Sequence, residues 1–459
     1  MSSSAPRKNA TIATTQPGDG LHRALLVLWV ATIGADRIDL SGGRMGALLT
    51  PFLALTPLVI VSELLRRHAW RRSVVFSRLT IAFVFLLFVL LSLVLTSVFV
   101  SVETTVSASR AALLAMLSIG SVAVAVSASD RDDLEGLLAR GAAYGLLLFL
   151  IFDVAEFAVW FAKASSMVFH FGPVDVALEA SPYAGFIPRL SGAVIDPNRG
   201  GYVIVCYAFF LMRGEATAWV RRWGLAFAVL LLAATISRSA TATMLCMLLV
   251  RIIDRGHLRA RPATLGFGAV FMAAVCVVAL VWPAPVVRAA TALVPLTERL
   301  SLSEGSAQNH VGLLGRGIEE ATRSIPRALI GLGFGASYTV LQDFFPGNRY
   351  GNFHSLYVST LAESGVFALV IMCILLIVPA VRRGPYRALV VGTIAFNIFY
   401  QSALEPAFWV ILILAWTPAR SAVLEWPVRL GGQGTTRVRP AAARPGFAGD
   451  HVRDADAVA

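Results

Sequence analysis

The feature that most constrains this chain is the recurrence of uncharged apolar segments long enough to cross a lipid bilayer. Residues 81–100, IAFVFLLFVLLSLVLTSVFV, carry no charged side chain, and a spanning helix needs about 20 such residues for about 30 Å of hydrocarbon. Candidate segments, several of them shorter or interrupted by charged residues, centre near residues 28, 55, 88, 117, 147, 205, 227, 245, 272, 368, 394 and 412. With 57% hydrophobic and 14% charged residues, the chain holds far more apolar material than a water-soluble core would use. The expected fold class is all-α, a polytopic membrane protein with about 12 transmembrane helices.

Residues 1–20, MSSSAPRKNATIATTQPGDG, are polar and turn-rich, with no apolar stretch leading to a small-residue cleavage site. They read as a disordered cytosolic tail and not as a signal peptide. Residues 21–282 carry the first nine expected spans, 283–352 form a long external loop, and 353–426 carry the last three. Residues 427–459 are a second disordered cytosolic tail.

The formal net charge is +12, but the arginines fall mostly in short loops between apolar runs, where a topology signal belongs. Nucleic acid is therefore not an expected partner. One set of connections holds Arg66, Arg67, Arg71 and Arg72, then Arg131 and Arg140, then Arg213, Arg221 and Arg222, then Arg251, Arg255, Arg259 and Arg261, then Arg382, Arg383 and Arg387. By the positive-inside rule these are cytosolic. The alternate set, SVETTV near residue 101, the segment 162–190, the turn TISRSAT, the loop 283–352 and QSALEP, then faces the other side. Cys206, Cys246, Cys276 and Cys373 each lie alone in an apolar run, so neither a disulfide framework nor a zinc spacing is present.

Several polar groups sit where lipid is expected. In GAVIDPNRGGYVIVCYAFFLM, Asp196 and Pro197 are a helix start, the carboxylate capping free amides and the proline at the first helical position. About 16 residues separate that start from Arg213, roughly 24 Å of helix, which is short for a span, so the cap is recessed. Asn198 and Arg199 follow on the same first turn, where polar residues are common. Ser237 and Arg238 stand about a dozen residues from Arg251, and an arginine at that depth faces a water-filled cavity or an anion. His354 opens the final apolar group, with Tyr357, Val358 and Leu361 at i+3, i+4 and i+7, so it is expected to continue a helix face.

The long loop is itself a functional candidate. Its middle, GRGIEEATRSIPRALIG, is expected to be one amphipathic helix on the membrane surface, with Arg316, Glu320, Arg323 and Arg327 in one arc and Ile318, Ala321, Ile325 and Leu329 opposite. Three arginines there share one in-register glutamate, which leaves surplus positive charge. His310, in the same loop, is expected to be incidental. Neither histidine lies in a metal-ligand spacing such as HExxH, so no metal and no cofactor is expected.

Arginines in an outward cavity of low dielectric suit a phosphate or pyrophosphate, because a guanidinium stays charged and binds two oxygens at once. A nearby histidine can take a proton from a hydroxyl near neutral pH. Together they point to transfer from a lipid-linked pyrophosphate to an alcohol, with the arginines stabilising the leaving group.

The segments LSGAVIDPNRGGYVIV, ATISRSATATMLCMLL, GRGIEEATRSIPRALIGLGFGASY, NFHSLYVSTLAESGVFAL and FNIFYQSALEPAFWVILILAW resemble, in order and topological position, the O-antigen ligase and O-antigen polymerase superfamily. The resemblance runs from about residue 190 to 418, and the first half agrees mainly in hydropathy. It implies a membrane glycosyltransferase of the GT-C type, using an undecaprenyl-pyrophosphate-linked glycan at the outer face of a bacterial cytoplasmic membrane without metal or nucleotide. It further implies catalytic roles for Arg238, Arg316 and His354, beside substrate-binding roles for Asp196, Asn198, Arg199, Arg323, Arg327 and Tyr357. Ser355 stands where the family commonly has asparagine, and Glu319 and Glu320 stand where a tryptophan is frequent. The acceptor, a glycan, lipid or protein hydroxyl, is left open, and so are polymerase and protein-glycosylating activities. The rival from another class is a transporter, such as a lipid-linked glycan flippase, which would bring charged residues to both faces and internal repeats.

Overall fold

The structure, a computed structural model, describes residues 19–41, 49–70, 77–128, 131, 133–162, 166–179, 181–183, 187–214, 217–254, 305–344, 346 and 351–417. It is mostly helical. The helices are α1 Asp19–Ala31, α2 Pro51–Trp70, α3 Arg78–Phe99, α4 Thr104–Ala128, α5 Leu134–Phe161, α6 Pro197–Arg213, α7 Ala218–Thr235, α8 Arg238–Asp254, α9 Gly305–Thr322, α10 Ile325–Ile330, α11 Leu356–Val381, α12 Arg387–Phe396 and α13 Pro406–Trp416. Among the described residues, α3, α4, α5, α7 and α11 are long and apolar enough to cross a membrane, and several such helices make this a multi-pass membrane chain.

The expected spans near 394 and 412 are short helices of 10 and 11 residues. At 1.5 Å per residue neither crosses about 30 Å of hydrocarbon. The reason is visible in α13, PAFWVILILAW, which is apolar on every side and buried from Ala407 to Leu414. A helix apolar all round belongs inside the protein. The expected span near 272 lies outside the described residues, as do residues 1–18, the C-terminal tail and residues 283–304 of the long loop, while residues 19 and 20 of the expected tail open α1.

Helix α6 is the other central element, buried at almost every position from Gly200 to Leu211. Tyr207 donates its hydroxyl to the carbonyls of Val30 and Ala31 at 3.1 and 2.9 Å, fixing α6 to the end of α1. Tyr202 stacks on Phe396 of α12 with ring centroids 4.4 Å apart. On the other flank α11 packs against α3, α9, α10 and α12. It kinks at Gly365, whose φ of +82° and close approach to the Leu329 carbonyl leave no room for a side chain.

All-α needs correction. Two small sheets form in the segments between helices: β1 Ile38–Asp39, β2 Ser166–Phe171 and β3 Val174–Glu179 make an antiparallel sheet in the order β1-β3-β2, and β4 Ser181–Tyr183 pairs with β5 Ile187–Arg189.

The two ends of the bundle differ in chemistry. At one end Arg131 bonds Asp19 at 2.8 Å, Arg23 reaches Asp133 at 3.2 Å, Arg213 pairs with Glu135 and donates to the Pro385 carbonyl, Arg251 donates to the Met212 carbonyl, and Arg387 pairs with Asp254. These are the residues of the arginine-bearing loops. The sheets, the start of α6, the start of α8 and residue 354 lie at the opposite end, so among the described residues these two groups of connections are separated by the length of the bundle.

Candidate functional site

The site grows from the turn before α6. Asp196 is extended (φ −112°, ψ 132°), and its Oδ1 accepts from the Asn198 and Arg199 amides at 2.8 and 3.1 Å. That is the helix cap expected from the Asp-Pro pair. The turn is held from behind by two acids of α5: Glu156 accepts from the Ser191 amide at 2.9 Å, and Asp153 accepts from the Gly192 amide at 2.8 Å. Glu156 is fully buried and ion-paired to Arg37. Arg37 also donates to Ser191 Oγ and to the carbonyls of Val194, Ala177 and Glu179 at 2.6, 2.8, 2.9 and 3.0 Å. One guanidinium thus ties the sheet, α5 and the turn into a single unit.

Arg199 has a different role from the one expected. Its Nη2 lies 2.6 Å from Asp36 Oδ2, and its Nε pairs with Glu405 at the start of α13. Burial drives the Glu405 carboxyl up to about 7 against the lowering pull of Arg199. A guanidinium already matched by two carboxylates is a brace between α6 and α13, not a ready anion site. Asn198 also works inside the protein: its Oδ1 accepts from Ser237 Oγ at 2.9 Å and from Arg189 at 3.3 Å, joining α6 to the start of α8.

Arg238 is the first residue of α8 and half-buried, while Ser237 before it is buried. It acts electrostatically on His310, as Asp196 does. The His310 ring stands edge-to-face against the His354 ring with centroids 4.6 Å apart, and Tyr400 flanks His354 at 6.3 Å. His310 is therefore part of the site, not incidental. Burial lowers His354 below the usual histidine range, with Asp196 pulling the other way. Burial, His354 and Arg238 together lower His310 from 6.5 to about 4. Both rings are neutral at pH 7.

His354 does not continue a helix face. Helix α11 starts at Leu356 after Ser355, and His354 itself is left-handed, with φ +51°. Its amide donates to Asn352 Oδ1 at 2.8 Å, a side-chain turn that favours this conformation. A non-glycine residue there stores about 1 kcal/mol or more of strain. The loop holds the ring where a helical position would not carry it. Tyr357, on the first turn of α11, donates its hydroxyl to the Ile394 carbonyl at 3.2 Å, a contact that ties α11 to α12.

The long-loop arc also differs from expectation. The helix breaks at Arg323, and Ser324 caps α10 by accepting from the Arg327 amide. Glu320 and Ala321, expected on opposite faces, are both buried, while Ile318, Ile325 and Leu329 are exposed. Arg316 pairs with Glu319 at 3.0 Å and with Glu320 at 3.4 Å, and Arg323 with Glu320 at 3.4 Å. Arg316 lies six residues beyond His310, about 9 Å along α9 and about 120° around it. Arg323 and Arg327 lie past the break, toward the α11 kink. Helix α9 docks through Leu313, Gly317 and Ala321 beside Phe353 and Val358, which is what brings His310 to His354.

Asp36, Arg37, Glu156 and Glu405 escaped notice in the sequence, and His310 was noticed but read as incidental. The acids of LLLFLIFDVAEFAVWF carried a signal, since an ionisable residue inside an apolar run marks a structural or functional site. Among the described residues no group of three or more potential ligands could hold a metal ion. No family model matches the chain, and no curated protein matches it.

Proposed function

We propose that the chain is a GT-C-like, metal-independent inverting glycosyltransferase. It moves an oligosaccharide or polysaccharide from undecaprenyl pyrophosphate to a hydroxyl acceptor at the outer face of a bacterial cytoplasmic membrane. The observation that carries this reading is the convergence of Arg238, Asp196, His310 and His354 at the end of the bundle opposite the arginine-bearing loops. It is supported by the resemblance of those segments to the O-antigen ligases.

In this reaction neutral His354 accepts the proton of the acceptor hydroxyl as that oxygen attacks the anomeric carbon. The bond from that carbon to the pyrophosphate oxygen breaks, and the electron pair leaves on the lipid pyrophosphate. Arg238 stabilises the departing negative charge, joined by Arg316 once the pyrophosphate displaces Glu319 and Glu320 from it. Attack from the face opposite the leaving group inverts the anomeric centre. His354 suits the base role because burial keeps it unprotonated near pH 7.

The test is glycan transfer in proteoliposomes from an undecaprenyl-pyrophosphate oligosaccharide, with chelator present, comparing wild type with Arg238→Ala, Arg316→Ala and His354→Ala. The expected result is transfer by the wild type and loss in folded variants. Offering lipid, glycan and protein acceptors in parallel separates ligase, polymerase and protein-glycosylating activities. Movement of the donor across the bilayer with no new glycosidic bond would replace this reading with a flippase.

A further inference from the structure

The β2–β3 hairpin is amphipathic in register. Met167, Phe169 and Phe171 lie opposite Leu178, Val176 and Val174, and Ile38 of β1 lies opposite Val176. Directly opposed residues share a face, so one face of this sheet is apolar throughout. The other face carries Ser166, His170, Asp175, Glu179 and Asp39, with only Val168 and Ala177 apolar, and His170 bonds Asp175 there at 2.7 Å.

Burial divides the apolar face in two. On β3 and β1, Leu178 is part of the helical core, and Val176 and Ile38 pack against it. On the edge strand β2, Met167, Phe169 and Phe171 are 41, 38 and 64% exposed. Phe169 and Phe171 stack nearly parallel, with centroids 6.4 Å apart. The strand follows α5, a candidate span whose exposed stripe runs Leu147, Ile151, Val154, Phe157 and Phe161 to its last residue. Spacings of four, three, three and four keep that stripe on one lipid-facing side.

The geometry points to the outer interface of the lipid bilayer as the partner of this hairpin, with Met167, Phe169 and Phe171 turned toward the acyl boundary and His170 and Asp175 toward water. The hydrocarbon core itself is excluded, because β2 is an edge strand whose outer backbone groups have no ladder partner among the described residues. Full immersion in water would leave Met167, Phe169 and Phe171 without cover on that face, while Val168 alone is an exposed apolar side chain of β2 on the other. The interface accommodates both the aromatic rings and the open edge. Arg37 joins β3 through the Ala177 and Glu179 carbonyls to the turn before Asp196, so the anchored hairpin sets the depth of the site below the interface. This holds whatever reaction the site performs.

The experiment places the photoreactive residue p-benzoylphenylalanine singly at Phe169, Phe171, His170 or Ile151 of the full chain in phosphatidylethanolamine and phosphatidylglycerol liposomes. After irradiation, adducts are identified by mass spectrometry. Lipid adducts are expected at 151, 169 and 171, at least five-fold above those at 170. Lipid adducts equal at 169 and 170, none at 169 and 171 while 151 labels, or crosslinks from 169 and 171 to a second copy of the chain would each overturn the assignment. The probe is aromatic and replaces exposed side chains, so the fold is retained, and no glycan transfer is read.

Discussion

Removing Arg37 while keeping its acid partner is the sharpest perturbation of this fold. Arg37 donates to Glu156, to Ser191 Oγ and to the backbone carbonyls of Ala177, Glu179 and Val194. Arg37→Met leaves the Glu156 carboxylate buried with no opposite charge, a loss of about 3–5 kcal/mol when one partner of a buried pair is deleted. The carbonyls each lose a donor, at about 1 kcal/mol apiece where no water replaces it. The expected single-variant loss is therefore at least about 4 kcal/mol. Glu156→Gln in the same background removes the stranded charge while keeping an oxygen for the Ser191 amide, and should restore about half of it. The assay is a double-mutant cycle on unfolding in mixed micelles, with a coupling energy of about 2 kcal/mol expected. Additive losses, or a single-variant loss under about 1 kcal/mol, would refute the claim that this pair holds the turn before α6.

Three further outcomes follow from the site. With both histidines depressed, transfer should stay level from pH 8 to about 6.5 and fall below that as His354 takes a proton. Unfolded histidines bind protons first, so stability also falls between about 6.5 and 4, by at most about 3 kcal/mol for His310, and an acid limb lost only below pH 4 in a rate profile would contradict His354 as base. A Cβ on Gly317 would sit 2.3 Å from Val358 Cγ1, whereas one on Gly315 meets nothing within 4 Å. Gly317→Leu should undock α9 and abolish transfer while Gly315→Ala leaves both melting and transfer unchanged; equal behaviour of the two variants counts against docking of His310. Asp196→Ala should cost about 1 kcal/mol as a lost cap, and Asp196→Asn should restore that stability. If Asn also restores the transfer rate, Asp196 is a cap alone.

Hydropathy made the helical elements readable because a long apolar run leaves the backbone few other ways to satisfy its polar groups. The Asp196 cap was readable because capping is local. Counting apolar residues did not reveal that α12 and α13 end early, since an interior helix and a spanning helix have the same composition and differ in what surrounds them. The hairpin carried a period-two pattern in SMVFHF and VDVALE around the turn at Gly172, but an expectation of helices throughout concealed it. The break before α10 was signalled by Ser324 and Pro326, which start a helix, and an arc drawn across them merged two helices into one. His354 was placed correctly at the mouth of α11 but given the wrong backbone. Its left-handed conformation depends on Asn352 and on the packing of α9, neither of which a helical-face argument includes.

The arginines near the site can be sorted by what already balances them. Arg199 is matched by Asp36 and Glu405 and braces two central helices, so a pyrophosphate would have to displace a carboxylate from a buried pair to reach it. Arg199→Met should therefore act on stability before it acts on chemistry. Asp36 and Glu405 would be left together without the cation that joins them, and deleting one member of a buried ionic group costs about 3–5 kcal/mol. The sign of its pH dependence follows: stranded carboxylates have raised pKa values in the folded state, so the deficit is full above those values and shrinks as both take up protons. Melting of the variant should approach that of the wild type as pH falls from 8 toward 5. If Arg199→Met instead melts like the wild type at pH 8 and loses only donor binding, Arg199 belongs with the anion-binding arginines and the brace is not its main role.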